Sequence, residues 1–159
     1  FNLESSFFFR QDQNCMNLRI ISKGVFYFLT GRGFKTGKKG QIKIPKWVKS
    51  NEKYMISFIR GLFDCDGSFH VRNKSYPIIS YTSKSKILVE TVFQFLRKKG
   101  FKLKNFYKEE KIDQRTGNSS VTYRIRLQGH ENLKLWLKTV NFGNDKHLKK
   151  IKMGTPGLS

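Results

Sequence analysis

The residues of this 159-residue chain whose types and spacing could do chemistry lie together in the run Ile59-Arg60-Gly61-Leu62-Phe63-Asp64-Cys65-Asp66-Gly67. Two carboxylates, one residue apart, follow an apolar stretch at helical spacing, and a glycine comes directly after them. Gly61 inside a helix costs up to about 1 kcal/mol relative to Ala, which points to close approach by another helix. Gly67 frees the backbone where the helix stops. The spacing leaves two readings open: Asp64 and Asp66 cap and turn the chain, or Asp66 holds a hard divalent cation. Mg2+, which takes oxygen ligands and keeps several waters, suits that second reading. The surroundings bear on the choice. Lys plus Arg total 32 against 11 Asp plus Glu, a formal net charge of +21, and a bare carboxylate on a phosphate-binding surface is out of place.

Other chemistries are poorly supplied. Cys15 and Cys65 cannot build a disulfide framework or a four-Cys zinc site. His70, His130 and His147 lie far apart in the chain. Gly31, Gly33, Gly37 and Gly40 lack the following GKS or GKT of a nucleotide loop. Cys65 has no adjacent His to activate it. No apolar run approaches the ~18 residues of a membrane span, and no strongly amphipathic Lys-rich helix favours a membrane surface. The 15 Phe residues speak for a packed fold rather than a disordered basic tail. The excess positive charge therefore implies a polyanionic partner, nucleic acid first, through phosphate contacts and counterion release. With no secretory signal in sight, the expected compartment is cytoplasmic or an organellar matrix rather than secreted. The first residue, Phe1, is read as the start of a fragment or processed product.

The elements that must position these residues follow from period and punctuation. Residues 3–10 and 16–22 read as strands around a turn at 11–14. Residues 24–30 are ambiguous between strand and helix, and 31–41 form a Gly/Lys loop. Ser50 and Asn51 are N-caps for a helix over 52–64, with Met55, Ile56, Ile59, Leu62 and Phe63 as its apolar stripe. Strands are expected over 68–74 and 78–82, a helix over 84–99 stopped by Gly100, and a hairpin of 101–112 with 119–128. A helix over 131–140 follows, and from Lys149 the chain reads as a basic, frayed tail. From Glu52 on, the order is helix, strand, strand, helix, strand, strand, helix. That is an α+β fold with helices on one face of an antiparallel sheet. By alternation the other face carries His70, Arg72, Lys74, Arg124 and Arg126, a nucleic-acid surface given the charge.

The chain also resembles itself. Met16, Leu18, Arg19 and Ile20 align with Tyr123, Ile125, Arg126 and Leu127, and Leu29, Phe34 and Lys38 align with Leu137, Phe142 and Lys146. The offset of about 108 residues makes residues 1–48 the C-terminal part of a first, truncated repeat plus linker, 49–150 a complete repeat, and 151–159 the tail. The counterpart of Asp66 then falls about 42 codons before Phe1.

The run IRGLFDCDG resembles the LAGLIDADG, or dodecapeptide, motif of homing endonucleases: Gly61, Leu62, Asp64, Asp66 and Gly67 match, while Ile59 and Phe63 are apolar replacements. Arg60 in place of a small residue departs from it. IPKWV before the helix, SFHV after it and the α-β-β-α-β-β-α order agree with that family's half-domain, whose sheet is a saddle. The resemblance implies a site-specific, Mg2+-dependent double-strand DNA endonuclease in which two such helices pair, from a second repeat in cis or a homodimer partner. It implies that Asp66 is a metal ligand and catalytic, possibly joined by the Cys65 carbonyl, and that Gly61, Asp64 and Gly67 are structural. Lys23, after the last strand of the partial repeat, is where the family often places a catalytic Lys; it also reads as a plain surface lysine, since the full repeat has Gly129 and His130 there. His70, Arg72, Lys74, Ser80, Arg124 and Arg126 are then DNA contacts. The alternative is an RNA maturase binding intron RNA, or a degenerate DNA-binding module on the same fold.

Overall fold

A computed structural model describes residues 5–10, 15–34, 42–73, 75–112, 114 and 117–154. The chain divides into two compact units, Phe1–Thr36 and Gly37–Ser159.

The first unit is an antiparallel hairpin of β1 (Ser5–Arg10) and β2 (Cys15–Ile20), with Phe7 opposite Leu18, followed by α1 (Lys23–Gly31). The segment whose period was ambiguous is this helix. It is started by Ser22, whose Oγ accepts from the Val25 N–H at 3.2 Å. None of its residues is buried.

In the second unit a short helix, α2 (Lys46–Lys49), leads into α3 (Glu52–Asp66), where the Asn51 side chain accepts from the Tyr54 N–H. The helix runs two residues beyond the expected end at Asp64. β3 (Gly67–Arg72) begins on the next residue, β4 (Tyr76–Ser83) pairs with it, and α4 (Lys86–Lys98) follows behind a Ser85 cap. β5 (Tyr107–Ile112) and β6 (Ser119–Gln128) make the second hairpin, and α5 (His130–Thr139) and α6 (Asp145–Gly154) close the unit. The sheet order is β3-β4-β6-β5, antiparallel throughout.

Two expectations are corrected. Residues 101–106 are not strand: Phe101 turns into the core, and buried Asn132 ties this segment down, accepting from the Lys102 N–H and donating to the carbonyls of Lys102 and Gln128. The chain from Lys149 is not frayed through 154, because α6 buries His147 and Ile151 and lies against β3. Its apolar positions, Leu148 and Ile151, are three apart on one helical face, a signal hidden by the lysines around them. Residues 155–159 lie outside the described residues.

α3, α4, α5 and α6 all pack on the sheet face formed by Phe69, Val71, Ile79, Tyr81, Ile125 and Leu127. Phe63, Tyr81, Trp136 and Phe142 meet at the centre, with the Phe63 and Trp136 rings 4.5 Å apart. Among the described residues no helix of this unit packs on the opposite face, where Ile78 is nonetheless buried.

Candidate functional site

The site begins where α3 meets β3. Gly67 has an extended backbone with φ −85, open to any residue. What requires glycine is proximity: a Cβ there would lie 2.3 Å from the Phe63 carbonyl oxygen and 2.8 Å from its Cα. The expectation that Gly67 supplies backbone freedom is thus corrected; it supplies space, so that the strand can leave the helix without a linker. Gly61 meets nothing within 4 Å of such a Cβ, so its helix face is open within the described residues.

The two carboxylates at this junction have different fates. Asp64 accepts from the Gly143 N–H at 3.0 and 3.1 Å and from the Asn144 N–H at 3.2 Å, while its own carbonyl accepts from Asn144 Nδ2. These N–H groups precede α6, so the carboxylate sits at that helix's positive end. One turn earlier, Arg60 Nε donates to the Val140 carbonyl at 2.7 Å, at the end of α5. Arg60 and Asp64 together therefore clasp the α5–α6 connection, which is the work the departure at position 60 performs. Asp66 is exposed, and among the described residues its carboxylate has no hydrogen-bond or ion-pair partner. Its negative charge is felt next door. Burial chiefly pushes the Tyr81 hydroxyl above its usual 10.0, a hydrogen bond with Ser83 opposes this, and Asp66 adds to the rise.

Asp66 also ends α3, where unsatisfied carbonyls concentrate negative potential. A carboxylate with hard oxygen donors beside it fits a divalent cation such as Mg2+, but as part of a site. No group of three or more His, Cys, Asp or Glu stands together among the described residues. Cys65 is exposed, with a free thiol. Lys23 is the first residue of α1, in the other unit.

The bare sheet face starts from this junction. Register places Ser68 opposite Ser80, and Ser80 opposite Arg126, in one row; His70, Ile78 and Gln128 form the next; Thr82, Arg124 and Tyr107 another. His70, Arg72, Ser80, Arg124 and Arg126 thus share a face, and Lys74 lies outside the described residues. Ser68 and Ser80 hydroxyls are hydrogen-bonded at 2.9 Å, and the Arg72 guanidinium lies 5.4 Å from the centre of the Tyr76 ring. Sequence reasoning missed Thr82, which accepts from Arg124 Nε at 3.0 Å, and Glu109, whose Oε1 is 2.9 Å from Arg124 Nη1 and 3.7 Å from Arg126 Nη2. Their signal was alternation within the strands: Tyr107 and Glu109 share one parity, and so do Ser80 and Thr82.

The family described as LAGLIDADG-like domain matches residues 53–141. A protein of Pyrococcus abyssi named tRNA-splicing ligase RtcB is 30% identical over 148 residues, 86% of this chain and 15% of that protein. One of the same name in Methanocaldococcus jannaschii is 33% identical over 132 residues, 79% of this chain and 14% of that protein. The replication factor C small subunit of the latter organism is 26% identical over 135 residues, 85% of this chain and 7% of that protein. The chain spans about a seventh of the length of the RtcB relatives it matches.

Proposed function

The chain belongs to the LAGLIDADG family, and on that premise we propose that it is a site-specific double-strand DNA endonuclease of the intron- or intein-homing type. The observation that carries this reading is the division of labour at the end of α3. Asp64 is consumed by the α5–α6 connection, whereas Asp66 stands exposed and unpartnered beside a basic sheet face.

In this reading His70, Arg72, Lys74, Ser80, Arg124 and Arg126 engage the duplex, some positioning phosphates and some reading bases. Asp66, with the Cys65 carbonyl, is the metal-ligating end, and Lys23 is a catalytic lysine of the partial repeat. A divalent metal bound there, Mg2+ foremost, supplies charge neutralisation at the scissile phosphate and a more acidic water. Since no group of three or more His, Cys, Asp or Glu stands together among the described residues, the rest of the donor set comes from a second repeat or a second copy. The open face at Gly61 is where that partner helix packs. Residues 1–48 are the C-terminal part of a first repeat: β1, β2 and α1 reproduce the order of β5, β6 and α5.

The relatives support the homing part of the reading. One segment recurs in proteins of unrelated name, as 15% of one and 7% of another, the distribution that a coding segment moving between genes leaves. Their ligase and replication names therefore do not transfer to this chain. The isolated state of Asp66 favours a second reading, a module that binds nucleic acid without cutting, including a maturase on intron RNA.

The test is a plasmid library of randomised sites incubated with the chain and Mg2+. Wild type is expected to cleave a subset of sites when a second copy or the remainder of the first repeat completes the donor set, and to bind without cutting as a lone chain. Asp66→Asn is expected to bind them with unchanged affinity and leave them intact. Cleavage by Asp66→Asn would remove Asp66 from the mechanism, and selective binding without cleavage, both by this chain and by a form extended upstream through the rest of the first repeat, would establish the binding-only reading.

A further inference from the structure

We propose that Glu109 is a positioning residue that sets the sequence specificity of the bare sheet face by holding Arg124 and Arg126 off the DNA phosphates. The proposal rests on the reading of that face as a duplex-binding surface.

The geometry is compact. Glu109 lies opposite Thr122 in the β5–β6 ladder, two residues from Tyr107, which lies opposite Arg124. Its Oε1 is shared by the two guanidiniums, at 2.9 Å from Arg124 and 3.7 Å from Arg126. Arg124 is held on a second side by the Thr82 hydroxyl, and the Arg126 guanidinium lies 5.6 Å from the centre of the Tyr107 ring. The Arg124 and Glu109 side chains are only 24% and 25% exposed, so water and salt screen their pairing less than that of a surface ion pair.

A carboxylate at this place weakens the grip on any polyanion, because it repels phosphate and offsets one unit of the positive charge that the two arginines share. An arginine free to swing donates to whichever phosphate is nearest, and such contacts carry no sequence information. An arginine held on two sides presents its remaining N–H bonds in one direction. That direction is rewarded by an acceptor pair of matching spacing, such as O6 and N7 of guanine. Glu109 therefore lowers affinity for all DNA and lowers it least for the sequence that meets the held guanidiniums, which widens the gap between right and wrong sites.

The experiment uses the full chain, a duplex that wild type selects from a random pool, and a scrambled duplex of equal length. Both are titrated across a range of salt. Glu109→Gln is compared with Glu110→Gln, which removes the same charge from the neighbouring residue, where the carboxylate pairs with Lys108 instead. Glu109→Gln is expected to bind the scrambled duplex more tightly, with a log–log salt slope steeper by about 0.9 for each additional phosphate engaged. The ratio of selected to scrambled affinity is expected to fall about tenfold, while Glu110→Gln leaves that ratio unchanged. Equal shifts in the two variants would reduce the effect to net charge and overturn the proposal. Weaker binding of both duplexes with an unaltered salt slope would make Glu109 merely structural and overturn it as well. If wild type selects no sequence from the pool, the duplex-reading assignment itself falls, and this proposal with it.

Discussion

At the scale of single residues, two carboxylates separated by one position do different work because α3 turns about 100° per residue. Asp64 faces the α5–α6 connection and is used up there; Asp66 is carried round to solvent. Asp64 is accordingly a stability residue. Asp64→Ala removes the charge-assisted hydrogen bonds to the exposed N–H groups of Gly143 and Asn144 and leaves these groups to water. We expect a loss of about 1.5–3 kcal/mol in denaturant unfolding with an unchanged slope, whereas Asp66→Asn should leave stability nearly as it was. A loss below about 0.5 kcal/mol for Asp64→Ala would show that water replaces the carboxylate at no cost. Asp64 and Asp66 could both be seen in the sequence as special, but which of them stays free could not. The contacts of Asp64 lie 79 and 80 residues away, and no local pattern encodes them. Arg60 teaches the same lesson: it departs from the motif in sequence and caps α5 in the fold.

At the scale of elements, the junction between α3 and β3 is the decisive piece, because it sets both the exit of the strand and the position of Asp66. The strand leaves on the residue after the helix, and only a side chain of zero size fits between it and Phe63. Gly67→Ala would place a methyl 2.3 Å from backbone oxygen, not from a side chain that could swing aside. We expect it to cost about 3 kcal/mol, the upper end of steric conflicts in packed regions, because the clash is with backbone. A thermal midpoint within a degree or two of wild type would show that the helix end yields. The helices α3, α4 and α5 and the strand β6 were legible in outline from period three-to-four and period two, since each has one buried face. Residues 101–106 were not, because Phe101, Leu103 and Phe106 imitate strand content while the backbone is held by Asn132. α6 was missed because a lysine-rich surface helix with few apolar anchors carries little amphipathic signal.

At the scale of the whole molecule, the chain combines a unit of order α-α-β-β-α-β-β-α-α with a smaller one of order β-β-α. In the proposed reading the smaller unit is the end of a first repeat. The coding DNA upstream of Phe1 is then expected to encode a second dodecapeptide ending in an acidic residue, about 42 codons before it. Sequencing that region checks the expectation. An acidic-ended motif there would make this chain part of a two-repeat monomer, and unrelated coding sequence would leave two options, a homodimer in which Asp66 meets its symmetry mate or a remnant that binds without cutting. Among the described residues no helix is long and apolar enough to cross a membrane.

The amino-acid sequence by itself determined the α+β order, the basic face and the family motif. Each rests on residues close together in the chain: helical and strand periods, a net charge, and a run of nine. The tertiary structure alone decided what the motif's side chains hold. It directed Arg60 and Asp64 to the α5–α6 connection, left Asp66 free, assigned Gly67 a steric role and set Glu109 between two arginines. Those outcomes depend on strand register and helix packing between segments distant in sequence: a register shift of one residue would turn Glu109 to the other sheet face, and a one-residue slip of α3 would swing Arg60 and Asp64 about 100° away from the α5–α6 connection.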